Sequence, residues 1–152
     1  MSVTDLTGRI LVDTNVLVYA TLKWDVRHER ANEVLALRTR RDIELFVSVQ
    51  NLAEMYPNLT GPKNQPPDTP ELARQKIQSI AALRGLTVLP LSWQSMQQAV
   101  ILCEERSVTR QRYFDCQLAG LMIHEGIPKI LTENTKDFSG IRGITAQNPF
   151  LG

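Results

Sequence analysis

The sequence is poor in the features that mark several large classes of protein. It has two cysteines in 152 residues, Cys103 and Cys116. With no second pair and no histidine cluster beside them, a disulfide scaffold and a zinc-finger-like site are both excluded. Both cysteines fall in predicted helices and read as reduced, buried small hydrophobes. No apolar run approaches the roughly 20 residues that cross a bilayer. The opening MSVTDLTGRI lacks a basic segment leading into an apolar one, so a cytoplasmic protein without membrane attachment is expected. Neither sign of charge is in real excess: 17 Lys and Arg stand against 16 Asp and Glu, for a net +1. That balance neither announces nor excludes a nucleic-acid partner, so function has to be sought in local sites. There is also no internal repeat and no low-complexity tract.

What is present fits one domain over residues 1–152, because a chain of 152 residues that is 43% hydrophobic can bury a continuous core unaided. Short apolar runs at 9–12 (RILV), 44–47 (ELFV), 86–91 (LTVLPL) and 129–131 (KIL) alternate with longer segments of helical character. That alternation predicts a three-layer α/β/α sandwich around a mainly parallel sheet. Leu52, Met55, Tyr56 and Leu59 form one amphipathic stripe, and Trp93, Met96, Val100 and Cys103 form another. Further helices are expected over 27–41, 71–84 and 112–125. The stretch PNLTGPKNQPPDTP, 57–70, reads as a surface loop, with Thr69 capping the next helix and Pro70 in its first position.

Four segments can carry chemistry. In RILVDTNVLVYA an apolar strand ends at Asp13 and a helix begins at once, which is where open α/β sheets place their ligands; helix capping by Asp13 or Thr14 explains the same residues equally well. In FVSVQNLAEMY, Ser48 is a plausible N-cap, while Glu54 lies off the apolar stripe, where periodicity alone makes it a solvated residue. In RYFDCQLAGLMIHEG, Asp115 shares a face with Leu118, Ala119 and Met122, so its charge needs a partner; attraction to the helix N-terminus explains the residue equally well. In KILTENTKDF a strand ends in a polar turn containing Thr132, Asn134 and Asp137. Acids from separate strand ends can converge into a hard-cation site, and such a site suits phosphodiester cleavage. His28 and His124 lack ligand spacing.

The order DTNVL, NLAEMY, FDCQLA, LTENTKDF resembles the PIN domain, especially the small bacterial VapC toxins, from Arg9 to about Phe150. Each short motif is weak alone; the specificity lies in their order and context. The resemblance implies an endoribonuclease using Mg2+ or Mn2+, with Asp13, Glu54 and Asp115 as the principal acids and Asp13 and Asp115 as metal ligands. Asn15 would orient the acid cluster, and Thr132, Asn134 and Asp137 match the last, more variable motif. Asn134 stands where the family often has aspartate, which puts a second metal in doubt. The resemblance further implies an RNA substrate, a cognate antitoxin and a homodimer. Arg106, Arg110 and Arg112 are candidate RNA contacts. A haloacid-dehalogenase-type phosphatase ranks low, because Asn15 replaces the second acid of its D-x-D motif. The rival outside enzymes is a catalytically silent PIN-like module that binds RNA or protein, a reading favoured by Asn134.

Overall fold

Side chains on the first strand, β1 (Gly8–Val12), point alternately to two different cores: Ile10 and Val12 join one cluster and Leu11 the other. Strand β2 (Ile43–Ser48) behaves alike, sending Ile43, Leu45 and Val47 one way and Phe46 the other. A strand apolar on both sides needs a layer of structure over each face. The computed structural model, which describes residues 3–151, supplies both layers.

Three more strands, β3 (Leu86–Leu89), β4 (Lys129–Leu131) and β5 (Thr145–Gln147), complete a sheet of order β3-β2-β1-β4-β5 in which every pairing is parallel. Helices α1 (Thr14–Tyr19), α2 (His28–Ala36), α3 (Val49–Thr60) and α4 (Pro70–Ala81) cover one face through residues such as Leu17, Val34, Met55 and Ala73. The other face is covered by α5 (Trp93–Arg106) and α6 (Tyr113–Glu125), through Leu102, Leu118, Ala119 and Met122. This is the expected three-layer sandwich. Among the described residues no helix is long and apolar enough to cross a membrane.

Several local expectations need correction. Strand β5 was not anticipated, because Thr145, Ala146 and Gln147 are at most partly buried and form no apolar run. The helix expected over 27–41 stops at Ala36 and tightens into a 3₁₀ turn, Leu37–Thr39. Helix α3 continues through Pro57 to Thr60, so the Pro-rich loop begins only at Gly61. Pro57 and Ala53 are both exposed, and water can satisfy the carbonyl that loses its helical donor. Thr69 does cap α4, accepting a hydrogen bond from the Leu72 amide at 3.2 Å.

The stripe assigned to α5 is rotated. Trp93 and Val100 are exposed, at 66% and 52%, and Ser95, Ala99 and Leu102 are the buried residues instead. The cause is Gly120 on α6: a Cβ there would lie 2.6 Å from the Ala99 nitrogen and 2.8 Å from the Ser95 carbonyl. The two helices approach over their smallest residues, so size outranks hydrophobicity in choosing the packed face. Tyr56 is likewise exposed although Leu52, Met55 and Leu59 are buried, and Cys103 is half-buried while Cys116 is fully buried.

Candidate metal centre

Strand order runs from β1 through β2 to β3 in one direction and through β4 to β5 in the other. The crevice beyond the carboxyl ends of β1 and β4 is therefore the topological switch point, the usual ligand position of such sheets. Asp13 leaves β1 there as the N-cap of α1. Its Oδ1 accepts from the Thr14 amide at 2.8 Å and from Asn51 Nδ2 at 3.2 Å. Its Oδ2 accepts from the Thr132 hydroxyl at 2.7 Å, with Asn15 Nδ2 at 3.5 Å. Thr132 is fully buried just beyond β4. Asn15 also donates to the Thr132 hydroxyl at 3.2 Å and accepts from the Glu133 amide at 3.1 Å, which ties α1 to the turn after β4.

Glu54 is held at both oxygens and is not a freely solvated residue. Thr14 Oγ1 donates to Oε2 at 3.2 Å and Gln50 Nε2 to Oε1 at 3.1 Å. Gln50 in turn donates to the Phe114 carbonyl at 3.0 Å and accepts from Gln117 Nε2 at 2.8 Å, bridging α3 to α6. Asp115, in the first turn of α6, is half-buried and accepts no hydrogen bond recorded among the described residues. Asp137 comes from the 3₁₀ turn Thr135–Phe138.

Asp13, Glu54, Asp115 and Asp137 line one pocket of about 180 Å3, together with Asn15 and Asn134. The crowding is visible in the acidities of Asp115 and Asp13. Burial, then the charges of Asp137, Asp13 and Glu54, push the Asp115 carboxyl up to about 6, with Arg112 opposing. Burial also raises Asp13, against the lowering hydrogen bonds from Thr132 and Thr14. Glu54 and Asp137 raise it further.

The PIN domain family model matches residues 10–143. The chain belongs to the PIN domain family. Solved structures of similar fold include VapBC2 from Rickettsia felis bound to a promoter DNA fragment, with a TM-score of 0.66 at 20% identity, covering 92% of this chain and 98% of that one. DNA-bound VapBC from Salmonella typhimurium also gives 0.66 at 20%, covering 93% and 98%. The sarcin-ricin-loop-cleaving toxin VapC20 from Mycobacterium tuberculosis gives 0.65 at 17%, covering 87% and 95%. Among curated proteins no sequence match is found.

The donor set of this PIN chain fits a hard divalent cation. All four acids offer oxygen, and among the described residues the pocket wall contains no Lys or Arg, Arg112 acting on Asp115 from outside it. Among the described residues no three His, Cys, Asp or Glu side chains are gathered into a ready-made coordination cage. The acids line an open pocket, which suits magnesium, an ion that keeps several waters and takes only one or two protein carboxylates.

Of the sequence-predicted residues, the structure brings together Asp13, Asn15, Glu54, Asp115, Asn134 and Asp137, with Thr132 directly behind Asp13. Arg106, Arg110 and Arg112 are not in the pocket wall. Arg106 donates to the Ser139 carbonyl at 3.0 Å, and Arg112 acts on Asp115 as a neighbouring charge. Sequence reasoning missed Thr14, Gln50, Asn51 and Gln117. Two signals were available for α3: Gln50, Asn51 and Glu54 share a helical face, and Ser48 with Asn51 spells a capping box, which the structure contains.

Proposed function

We propose that this chain is a single-domain, cytoplasmic, magnesium- or manganese-dependent endoribonuclease, the toxin of a toxin–antitoxin pair. The observation that carries the reading is the convergence of four carboxylates from four separate segments on one pocket whose wall, among the described residues, holds no Lys or Arg, with Asp13 and Asp115 raised in pKa by burial and by the charges of neighbouring acids. A divalent cation would be held by Asp13 and Asp115; when bound it lowers the pKa of water and neutralises charge on the phosphate. The chain's own residues do the rest. Thr14, Asn51 and Thr132 fix Asp13. Gln50 and Thr14 hold Glu54 in one rotamer, from which its carboxylate orients the attacking water and receives its proton. The water oxygen bonds to phosphorus, the bond to the departing ribose oxygen breaks, and no covalent enzyme intermediate forms. Asp137 lines the pocket together with Asn134, which supports the enzyme over a silent module.

A structure of similar fold from Klebsiella pneumoniae is a toxin–antitoxin complex, which supports a protein partner that occludes the pocket. The homodimer is supported by an apolar groove of about 660 Å3 beside Glu54, lined by Val49, Leu91 and Phe114 among others. Those three are 51%, 46% and 46% exposed, the kind of patch that marks an interface. Purified protein incubated with RNA and a titration of magnesium or manganese tests the reading. Cleavage should require the metal, stop with chelator and be lost in Glu54→Ala. Metal-independent cleavage, or none at any metal concentration, contradicts it.

A further inference from the structure

Another cavity, of about 370 Å3, adjoins the acid pocket and shares Asn15 and Asn58 with it as a common wall. This volume is at the lower end of the range, roughly 300–1,000 Å3, in which small organic groups bind. Trp24, on the turn between α1 and α2, lines it while 58% exposed. Lys63, from the loop after α3, lines it too, and no ion pair is recorded for it among the described residues.

Both residues are presented by pinned backbone. The Trp24 turn is closed by the Asp25 amide donating to the Leu22 carbonyl at 3.0 Å and by Arg27, whose Nε and amide reach Asp25 Oδ1 at 2.9 and 2.8 Å. Buried Asn64, next to Lys63, donates to the Leu59 carbonyl at 2.8 Å and to Asp68 at 3.2 Å; Asp68 is itself bridged to Lys76 at 2.9 Å. The acids on that side are neutralised, since Arg27 pairs with Asp25 and, at 3.0 Å, with Glu133. Asn58 donates through Nδ2 to the Glu54 carbonyl at 2.8 Å, and among the described residues its side-chain oxygen has no recorded donor, so it can accept from a base edge. An exposed indole, an uncommitted ammonium and a free amide oxygen in one recess are what a nucleotide of an unpaired strand needs: a surface to stack on, a charge for its phosphate and an acceptor for its base.

We propose that this cavity is a nucleotide subsite, in which the base neighbouring the scissile phosphate stacks on Trp24 while Lys63 meets the backbone phosphate. The proposal rests on the nuclease reading and adds the residues that seat the neighbouring nucleotide, whose base must lie outside a duplex to reach the indole. A protein segment in the same recess is the competing occupant. Lys63 and the continuity with the acid pocket favour the RNA strand.

The test uses Asp115→Asn protein to suppress cleavage, a labelled, randomised single-stranded RNA of about ten nucleotides, and a duplex of similar length. Trp24→Ala in that background should weaken single-strand binding by about tenfold, the scale of one lost stacking contact, and Trp24→Phe should restore most of it. Lys63→Ala should weaken binding by about threefold and reduce the salt dependence by about one phosphate contact. Duplex binding should not respond to Trp24→Ala. Thermal melts confirm folding, and surface Lys63 gives a second reading should Trp24→Ala fold poorly. Unchanged single-strand affinity in both alanine variants overturns the subsite, as does a Trp24 effect on binding a partner protein with none on RNA. If the chain with all its acids intact neither binds nor cleaves RNA, the nuclease reading fails and the subsite with it.

Discussion

Asp13 takes hydrogen bonds from α1, from α3 and from the turn after β4, whereas Asp115, across the same pocket, accepts none recorded among the described residues. Asp13 is 8% exposed and built into the hinge of the sheet; Asp115 sits half-buried at the start of a helix. The contrast teaches how a pocket of acids can be both ordered and adaptable. One wall is fixed by hydrogen bonds within the protein, and the opposite wall holds a charge that its surroundings disfavour.

The largest expected effect concerns cleavage. Asp13→Asn and Asp115→Asn should each lower metal-dependent RNA cleavage by about a thousandfold or more, the scale of losing a principal catalytic group. Lengthening the side chains separates the walls: Asp115→Glu should keep measurable activity, while Asp13→Glu should be as inactive as Asp13→Asn, because a longer chain cannot meet the same donors. Equal activity in the two glutamate variants would erase the distinction.

Stability should divide the same residues. Without metal, Asp115→Asn removes a repelled charge and should raise the melting temperature by a few degrees, equivalent to about 1–2 kcal/mol after allowing for solvent screening. Asp13→Asn should not share that gain, because its amide hydrogens would face groups that now donate to an oxygen. A rise of the same size in both variants would contradict the account.

The pH dependence follows with a fixed sign. The Asp115 carboxyl is raised to about 6 in the fold, from 3.8, so between those values the folded state binds more protons than the unfolded one. The stabilisation of the protonated form is fully present below pH 4 or so and is lost as pH rises through about 6. Asp13, also raised, acts in the same sense. Metal-free melting temperature should therefore fall from pH 5 to pH 7.5, with a smaller fall in Asp115→Asn. An equal or steeper fall in that variant would assign the effect elsewhere.

The smallest effects lie on the open wall. Asn134→Asp should tighten metal binding severalfold, and Asp137→Asn should weaken it by a similar factor, because both positions line the pocket; titration calorimetry reads both. No change from Asp137→Asn would remove that side chain from the site.

The sequence showed the walls unequally. Strands ending at Asp13 and Thr132 were legible because β-branched runs stop abruptly at polar residues, and the alternation of Ile10, Leu11 and Val12 between two cores is what a buried parallel strand requires. Glu54 could not be read from periodicity, since its partners Thr14 and Gln50 reach it across α1 and along α3. The inward direction of Asp137 was equally hidden, being set by a 3₁₀ turn. On α5, hydrophobicity pointed to Trp93 and Val100, whereas the close approach of Gly120 to Ala99 selected small residues. Contacts between segments distant in the chain decided the packing of α5 and the hold of Thr14 on Glu54, whereas the turn that aims Asp137 is local.

The central claim is that Asp13 and Asp115 together hold a divalent cation. Titrating manganese into the RNA-free protein at pH 6, in buffers of different ionisation enthalpy, tests it most directly by counting ions and released protons together. The account predicts a bound cation with net proton release, binding weakened at least tenfold in Asp115→Asn, and proton release largely lost in that variant. Manganese binding of unchanged affinity and unchanged proton release in Asp115→Asn would contradict it.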